Sequence, residues 1–250
     1  MSLSKNKIKY IQSLKDKKHR NLHGTFVAEG KKLVFDLLDV CKCEFIAVLP
    51  EAQHEIPPSF SSELIVSTAE ELKKASFLKT PPQIIGVFCQ PQYNLPEIKL
   101  KKSIHLVLDD IQDPGNLGTI VRLADWFGIE HVFCSKNTVD LYNPKTVQAT
   151  MGAIARVKVH YVDLMYFLNE HHQIPVFGTF LEGENIYEAE LPTNGFIVMG
   201  NEGKGISREL ESLVTKKLFI PNFSSDRQTS ESLNVAVATA IVCSEFKRRQ

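Results

Sequence analysis

The stretch LVLDDIQDPGNLGTIVRLADWFGIEHVFCS, residues 106–135, predicts a strand, a polar loop, a helix and a second strand in that order. The apolar Leu106–Leu108 end in two aspartates, and the following turn residues open a helix. The apolar side chains of that helix recur at helical spacing: Leu117, Ile120, Val121, Ala124 and Phe127. Open α/β sheets bind ligands at the carboxyl ends of their strands and at the helix N-termini that follow. Asn116 and Arg122 are therefore the first candidate site residues.

The composition is that of an ordinary globular protein. The chain has 250 residues, 43% hydrophobic content and a formal net charge of zero, which fits one large α/β domain or two smaller ones. Balanced charge argues against a protein that coats nucleic acid nonspecifically, although residues 1–23 carry seven basic side chains against one acidic one. No apolar run is long enough to span a membrane and no signal peptide core follows Met1, so we expect a cytoplasmic protein without a membrane partner.

Cysteine usage agrees with a reducing compartment. The five cysteines are odd in number and lack the CxxC spacing of zinc or redox sites, so we interpret them as core thiols. The eight histidines are scattered along the chain, and we predict no metal site.

The chain before residue 100 predicts a small α/β unit. A basic amphipathic helix over residues 5–18 precedes alternating elements: strand 25–28, helix 29–40, strand 45–49, strand 64–66, helix 68–75 and strand 84–88. The segment PQYNLPEIKLKK, residues 91–102, contains two prolines and no clean periodicity, as a linker would. We therefore predict an N-terminal domain over residues 1–95, a linker over 96–103 and a second domain over 104–250.

The second domain alternates strands and helices along its whole length. The predicted elements after residue 135 are helix 144–151, strand 156–161, helix 164–171, strands 176–179 and 196–199, helix 207–214, strand 218–220 and helix 233–248. Such alternation predicts an α/β fold with a mostly parallel sheet and helices on both faces.

Three polar loops of this domain each follow an apolar strand. They are residues 109–118, GNEGKGIS at residues 200–207, and residues 221–231, which lead to Ser232 and Asn234 at a helix N-terminus. Taken singly, residues 200–205 could be a tight turn, Ser232 an ordinary N-cap and Arg122 a surface arginine. Together these features indicate a ligand site. Neither GxGxxG nor GxxxxGK[ST] occurs, which disfavours dinucleotide and P-loop sites.

The motifs DPGNLGTIVRLAD, GNEGKGIS and IPN…ESLNVAVATAI resemble, in order and spacing, those of the SpoU class of SPOUT RNA 2′-O-ribose methyltransferases. The N-terminal KIKYIQSLKDKKHRNLHGTFVAEGKKL is similar to the family's ribosomal-protein-L30e-like domain, which binds structured RNA. The resemblance implies a trefoil-knotted C-terminal domain, S-adenosylmethionine as cofactor, and a homodimer whose active site uses both subunits.

The resemblance also implies roles for individual residues. Catalytic and RNA-contacting positions fall on Asn116, Arg122, Glu202, Ser232 and Asn234. Cofactor contacts fall on Thr179, Leu181, Gly200, Asn201, Gly203, Ile220, Asn222 and Leu233. The basic surface expected to face RNA comprises Lys7, Lys17, Lys18, Arg20 and Lys31.

The chemistry favours an electrostatic role for Arg122. A guanidinium keeps its proton near neutral pH, so it stabilises a developing alkoxide more readily than it acts as a base. Whether Arg122 or a neighbouring phosphate takes the proton stays open. Residues 221–231 form a longer loop than the family's pattern and lack its glycine, which leaves the contact from Asn222 open, while Asp226 and Arg227 are interpreted as solvated.

The resemblance, which includes the N-terminal domain, implies ribosomal RNA as the substrate. A transfer RNA 2′-O-methyltransferase and a catalytically silent RNA-binding protein in ribosome assembly are the alternatives, and the intact motif residues count against the second. A nucleotide-dependent oxidoreductase is disfavoured by the missing glycine fingerprint.

Overall fold

A computed structural model describes residues 2–95, 100–224 and 232–249. The chain divides into two compact units. The N-terminal unit comprises the residues up to Gln92 together with Asp140–Ala155, and the C-terminal unit comprises Tyr93–Val139 with the residues from Arg156 onward.

The helices and strands follow one another in an α/β order. Up to residue 92 they are α1 (Lys5–Ser13), α2 (Lys17–His23), β1 (Thr25–Glu29), α3 (Lys31–Leu38), β2 (Cys43–Val48), β3 (Glu63–Val66), α4 (Ala69–Ala75) and β4 (Ile84–Cys89). Beyond it they are β5 (Ile104–Leu108), α5 (Pro114–Trp126), β6 (His131–Ser135), α6 (Pro144–Ala149), β7 (Lys158–Val162), α7 (Leu164–Glu170), β8 (Val176–Asn185), β9 (Gly195–Met199), α8 (Arg208–Glu211), β10 (Lys216–Phe219) and α9 (Val235–Arg248).

The N-terminal unit is built on a four-stranded sheet in the order β1-β4-β2-β3. Strand β4 pairs antiparallel with both β1 and β2, whereas β2 and β3 are parallel. Apolar side chains of α1 and α4 cover one face, with Ile11, Leu14 and Leu72 packed on Phe45 and Val87.

The predicted single helix over residues 5–18 is wrong, because the chain forms two helices there. Helix α1 ends at Ser13, and Asp16 has an extended backbone conformation before α2 begins at Lys17. Arg20 Nη1 donates to the carbonyl oxygens of Leu14 and Lys15, over 2.9 and 2.6 Å. A buried guanidinium thus satisfies carbonyl groups at the break, which hydrophobic periodicity does not reveal.

Residues 140–155 pack on the first strand of the N-terminal unit. Helix α6 contacts β1, and the rings of Phe26 and Tyr142 lie 4.7 Å apart between centroids. Arg20 Nε donates to Asp140 Oδ2 over 2.9 Å. The domain boundaries drawn from the sequence stay a prediction, and the structure adds that this segment groups with the N-terminal unit.

The C-terminal unit has the predicted α/β architecture. Its six strands lie in the order β10-β8-β9-β5-β6-β7, and all of the pairs are parallel. Side chains of α7 and α8 pack with Val107, Phe133 and Phe196 in one cluster. Phe246 of α9 contacts Phe177, which pairs with Ile197 of β9. Successive side chains of a strand face opposite sides of the sheet, so Ile197 and Phe177 lie on the face opposite Phe196. Helix α9 therefore forms a second helical layer on that face. Strand β8 extends to Asn185, beyond the predicted end at residue 179.

Three buried histidines lie on adjacent strands of this sheet. His105, His131 and His160 belong to β5, β6 and β7, and His131 Nδ1 lies 3.0 Å from His160 Nε2. Burial lowers the pKa of His105 and of His160 to about 4, and it also lowers the pKa of His131. The three rings therefore belong to the core as neutral groups near pH 7.

All five cysteines are free thiols, and burial raises the pKa of Cys134 and of Cys243. Among the described residues, no three His, Cys, Asp or Glu side chains are placed to hold a metal ion. None of the helices in the described ranges combines the length and apolar character needed to cross a bilayer.

Candidate active site

A chain of hydrogen bonds joins side chains from three separate segments of the C-terminal unit. Asn234 Nδ2 donates to Asn116 Oδ1 over 3.0 Å, and Asn116 Nδ2 donates to Glu202 Oε1 over 2.9 Å. Asn116 lies in the first turn of α5, Glu202 follows β9, and Asn234 precedes α9. The structure thus brings together three of the five residues predicted to be catalytic.

The direction of each hydrogen bond in this chain is fixed by its neighbours. Asn234 Oδ1 accepts from the backbone N–H groups of Ala236 and Val237, over 2.9 and 3.3 Å, and so caps α9. Its Nδ2 must then face Asn116, and an ionised Glu202 can only accept. The amide of Asn116 consequently has one possible orientation.

Two helices begin beside this chain of hydrogen bonds. Asp113 Oδ1 caps α5 by accepting from the backbone N–H of Asn116 over 2.8 Å, and Pro114 occupies the first turn. The hydrogen bond between Asn116 and Asn234 places the first turns of α5 and α9 side by side. Their N-terminal dipole ends favour a negatively charged group, such as a phosphate, at this place.

The loop after β9 is closed by its own backbone. Asn201 and Gly205 exchange two backbone hydrogen bonds of 2.9 Å each. Asn201 Oδ1 accepts from the N–H groups of Gly203 and Lys204, over 2.9 and 3.0 Å. A Cβ on Gly200 would lie 2.3 Å from the backbone carbon of Gly205, so only glycine fits where the loop folds back.

Two aspartates at the end of β5 fasten this loop, a role that the sequence analysis missed. Asn201 Nδ2 donates to the carbonyl oxygen of Asp110 over 2.8 Å, and Asp109 Oδ2 accepts from the backbone N–H of Ser207 over 2.8 Å. Asp109 is buried, and Asp110 has a positive φ of 58°. Two carboxylates directly after a buried parallel strand were the available signal, but they were predicted only as the end of the strand and as part of the polar loop 109–118, with no role in holding the loop after β9.

Arg122 and Ser232, the other two predicted catalytic residues, are exposed. Within the described ranges neither side chain forms a hydrogen bond or an ion pair. Arg122 follows Asn116 by six residues on α5, roughly 9 Å along the helix axis. The structure leaves this guanidinium available to a ligand but does not connect it to the hydrogen bonds among Asn234, Asn116 and Glu202.

Five of the eight residues predicted to hold the cofactor follow β9 or β10, the two strands that flank β8. Thr179 lies within β8, Gly200, Asn201 and Gly203 follow β9, and Ile220 and Asn222 follow β10. Thr179 Oγ1 donates to the carbonyl oxygen of Val198 over 3.2 Å. Leu181 and Leu233 are 74% and 51% exposed, which is unusual for leucine. Glycine backbone and exposed apolar side chains suit a ligand with an adenine ring.

The long loop after β10 is described only at its ends. Asn222 Oδ1 accepts from the backbone N–H of Ser224 over 2.9 Å. Residues 225–231 lie outside the described ranges, and with them the predictions for Asp226 and Arg227. The interpretation of that pair as solvated stays a prediction.

The side chains predicted to form the basic surface differ in exposure and in partners, and their contact with RNA stays a prediction. Lys17 and Lys18 are exposed, whereas Lys7 pairs with Glu63 and Lys31 pairs with Glu55. The placement of Arg20 on this surface is wrong. Its side chain is 2% exposed and is bonded to Asp140 and to two backbone carbonyl groups, so it stabilises the fold instead.

Comparison with known proteins relates both units to RNA methyltransferases. The SpoU rRNA Methylase family matches residues 103–244, and the MRM3-like substrate binding domain matches residues 5–86. The 23S rRNA (guanosine(2553)-2′-O)-methyltransferase RlmP of Bacillus subtilis is 30% identical over 96% of both chains.

Solved structures show the same similarity. An RNA methyltransferase of the TrmH family from Porphyromonas gingivalis superposes with a TM-score of 0.90 at 38% identity, over 99% of both chains. An AdoMet-bound rRNA methyltransferase from Sinorhizobium meliloti does so with a TM-score of 0.87 at 28% identity, over 100% of this chain and 97% of the other. The chain therefore belongs to the SpoU rRNA methylase family.

Proposed function

We propose that the protein transfers a methyl group from S-adenosylmethionine to a ribose 2′-hydroxyl of ribosomal RNA. The observation that carries this proposal is the hydrogen-bonded chain Asn234–Asn116–Glu202, which joins all three family motifs at one place. The similarity to RlmP, a 23S rRNA 2′-O-methyltransferase, extends over both units and supports ribosomal RNA as the substrate.

Most of the proposed catalytic residues orient the substrate or one another, and Arg122 supplies a positive charge. Asn116, Ser232 and Asn234 orient the ribose, and Glu202 fixes the amide of Asn116. Arg122 places a permanent cation beside the 2′-oxygen or the adjacent phosphate and lowers the energy of the negative charge that develops there. The bound cofactor supplies a sulfonium methyl that is already electrophilic, so the protein has mainly to position the hydroxyl and favour loss of its proton.

The proposed cofactor site is formed by Thr179, Leu181, Gly200, Asn201, Gly203, Ile220, Asn222 and Leu233. The turn closed by Asn201 and Gly205 presents backbone groups, and Leu181 and Leu233 present apolar surface for the adenine. The AdoMet-bound structure of the Sinorhizobium meliloti enzyme supports this cofactor. Asp109 and Asp110 would maintain the site by holding the loop in place.

We further propose that the C-terminal unit forms a trefoil knot and that two copies of the chain form the active enzyme. Superposition over the full chain on family structures supports the knotted topology. Exposed Trp126, Phe223 and Val237 in the C-terminal unit support an apolar interface between copies. Sedimentation equilibrium measures the mass of the protein in solution. A monomeric mass at micromolar concentration would contradict the proposed dimer. A cytoplasmic location stays a prediction from the sequence.

The decisive experiment maps 2′-O-methyl groups in ribosomal and transfer RNA from cells with and without the gene. We expect one or more ribosomal riboses to lose the methyl group, and Arg122→Ala to fail to restore it. Lys158→Ala is the matched control, since it removes an exposed cation at the start of β7, and it should restore methylation. Calorimetry should show that Arg122→Ala still binds S-adenosylmethionine.

The other outcomes separate the alternatives. Loss of methyl groups from transfer RNA alone would identify the transfer RNA enzyme. An unchanged methylation map together with no binding of S-adenosylmethionine would identify a catalytically silent RNA-binding protein. Near wild-type turnover of Arg122→Ala would remove Arg122 from the mechanism.

A further inference from the structure

The N-terminal unit contains two adjoining cavities that share two polar side chains. The volumes are about 200 and 340 Å³, and Glu29 and Gln148 line both. The larger cavity is completed by Phe77, Leu78, Pro144, Lys145 and Ala149. The smaller one is completed by Gly30, Lys31, Lys32, Leu33 and Met151. Both therefore lie between the end of β1 and the segment 140–155, the larger one beside the turn after α4 and the smaller one beside the start of α3.

Glu29, which lines both cavities, carries a buried carboxyl group. The residue is 5% exposed, its Oε1 accepts from the backbone N–H of Phe77 over 2.9 Å, and its Oε2 accepts from Ser76 Oγ. Burial raises the pKa of this carboxyl group above its ordinary value. No described cation pairs with it, and a carboxylate offers about four acceptor positions, so the group can still accept from a ligand.

Gln148 contributes an amide that the fold does not use. Its side chain is half-buried, and it forms no hydrogen bond with any residue in the described ranges. Phe77, Leu78 and Pro144 provide apolar walls beside it. Apolar walls with a few polar groups are the usual composition of a site for a small planar ligand.

Lysines surround the two cavities. Lys32 and Lys145 are exposed and form no ion pair with a described residue, whereas Lys31 pairs with Glu55. Cations at the rim suit a ligand that carries phosphates outside the cavity. A buried acceptor beside an aromatic wall suits the base to which those phosphates belong.

We propose that these cavities receive an unstacked nucleobase of the substrate RNA whose Watson–Crick edge carries N–H donors. Guanine is the best match, because its adjacent N1–H and N2–H groups can donate to one carboxylate while Gln148 contacts the remaining edge. Phe77 and Pro144 flank the ring, and Lys32 and Lys145 contact the neighbouring phosphates. This inference rests on the proposed function, since it requires an RNA substrate, and it assigns base recognition to the N-terminal unit.

The test uses the full chain and RNA hairpins that differ at a single base. The loop is all uridine, or contains one guanosine, or contains one inosine, which lacks the 2-amino group. Fluorescence anisotropy at constant salt gives the Kd of each hairpin. We expect the guanosine loop to bind roughly tenfold more tightly than the uridine loop, as expected for one recognised base, with inosine between them.

Two variants assign the preference to this pocket. Gln148→Ala removes the free amide, and Ala149→Trp fills the larger cavity. Gln148→Ala should weaken the guanosine preference, because Glu29 still accepts from the base, and Ala149→Trp should abolish it. Both variants should keep the affinity of the wild type for the uridine loop. Gln173→Ala, at an exposed glutamine of the C-terminal unit, should retain the guanosine preference. Thermal denaturation verifies that each variant is folded.

The outcomes separate this inference from the proposed function. Equal binding of the three hairpins by the wild type overturns the pocket, and so does a guanosine preference that survives in both pocket variants. Failure to bind any hairpin also overturns it. S-adenosylmethionine calorimetry and the methylation map test the proposed function independently, so the pocket can fail while methyl transfer stands.

Discussion

The side chain of Asn234 performs two tasks at once, since its Oδ1 caps α9 while its Nδ2 donates to Asn116 over 3.0 Å. The stability of a helix and the orientation of a site residue therefore depend on opposite ends of one amide. Substitutions that remove one task and keep the other can separate the two.

Asn234→Ala removes both the cap of α9 and the hydrogen bond to Asn116, whereas Asn234→Ser removes only the hydrogen bond. The alanine variant should lose about 1 kcal/mol of unfolding free energy, because α9 loses its cap, whereas serine caps nearly as well. Both should lower methyl transfer by about 10²-fold, because Asn116 is no longer oriented. Denaturant unfolding and single-turnover rates measure the two effects, and a fully active serine variant would show that the contact with Asn116 is dispensable.

Gly200→Ala should disrupt the loop after β9, whereas Gly203→Ala should not. A Cβ on Gly200 meets backbone atoms of Gly205 and Ile206 at 2.3 Å, but on Gly203 the nearest atom is Asn201 Oδ1 at 3.7 Å. We expect Gly200→Ala to cost about 1–3 kcal/mol and to weaken binding of S-adenosylmethionine. Gly203→Ala should stay within about 0.5 kcal/mol of the wild type. Equal melting temperatures and affinities for both variants would contradict the packing argument.

The substitution Arg20→Ala should lower the free energy of unfolding of the N-terminal unit. Removing one partner of a buried ion pair leaves Asp140 without its cation and costs about 3–5 kcal/mol, whereas Lys158→Ala at the exposed pair with Glu130 should cost at most about 1 kcal/mol. Denaturant unfolding measures both values. Lys17→Ala and Lys18→Ala should instead leave stability unchanged and weaken RNA binding, because both lysines are exposed. A stable Arg20→Ala variant would return Arg20 to the list of RNA contacts.

Acid should destabilise the C-terminal unit through its buried histidines. The folded-state pKa of His105 and of His160 is about 4, below the ordinary value of 6.5, so the unfolded chain binds more protons between these values. Their contribution to stability is complete above pH 6.5 and is lost as the pH falls toward 4. Each histidine adds a slope of up to about 1.4 kcal/mol per pH unit in that interval.

The variant His160→Phe isolates this effect. It removes one titrating group, so its unfolding free energy should fall less steeply between pH 6.5 and 5 than that of the wild type. His54→Asn, at an exposed histidine, should leave the slope unchanged. Identical slopes for the wild type and His160→Phe would show that His160 is not buried in its neutral form.

Local signals were sufficient for most of the C-terminal unit. Helix α5 could be predicted because its cap Asp113, its first-turn Pro114 and its apolar stripe lie within one short segment. The parallel sheet followed from the alternation of elements, and the three motif loops could be expected at one edge of it. Sequence alone did not give the hydrogen bonds between Asn116, Glu202 and Asn234, because their geometry depends on strand order.

Features that depend on distant partners were missed. Arg20 is buried because Asp140, 120 residues further on, accepts from it, and a basic segment gives no sign of that contact. Strand β8 continues to Asn185 because β10 pairs with its last residues, although Glu182, Gly183 and Glu184 carry little strand propensity. In both cases tertiary contacts override the local pattern.

The packing of Asp140–Ala155 on β1 also determines the order in which the units can be completed during synthesis. The N-terminal unit lacks α6 and the partner of Arg20 until residue 155 has emerged from the ribosome, by which time β5, α5 and β6 have already been made. The two units therefore mature in an interleaved order, and neither residues 1–95 nor residues 104–250 contain all the side chains that their own unit requires. An expression fragment that ends near residue 95 would leave Phe26 without Tyr142 and Arg20 without Asp140.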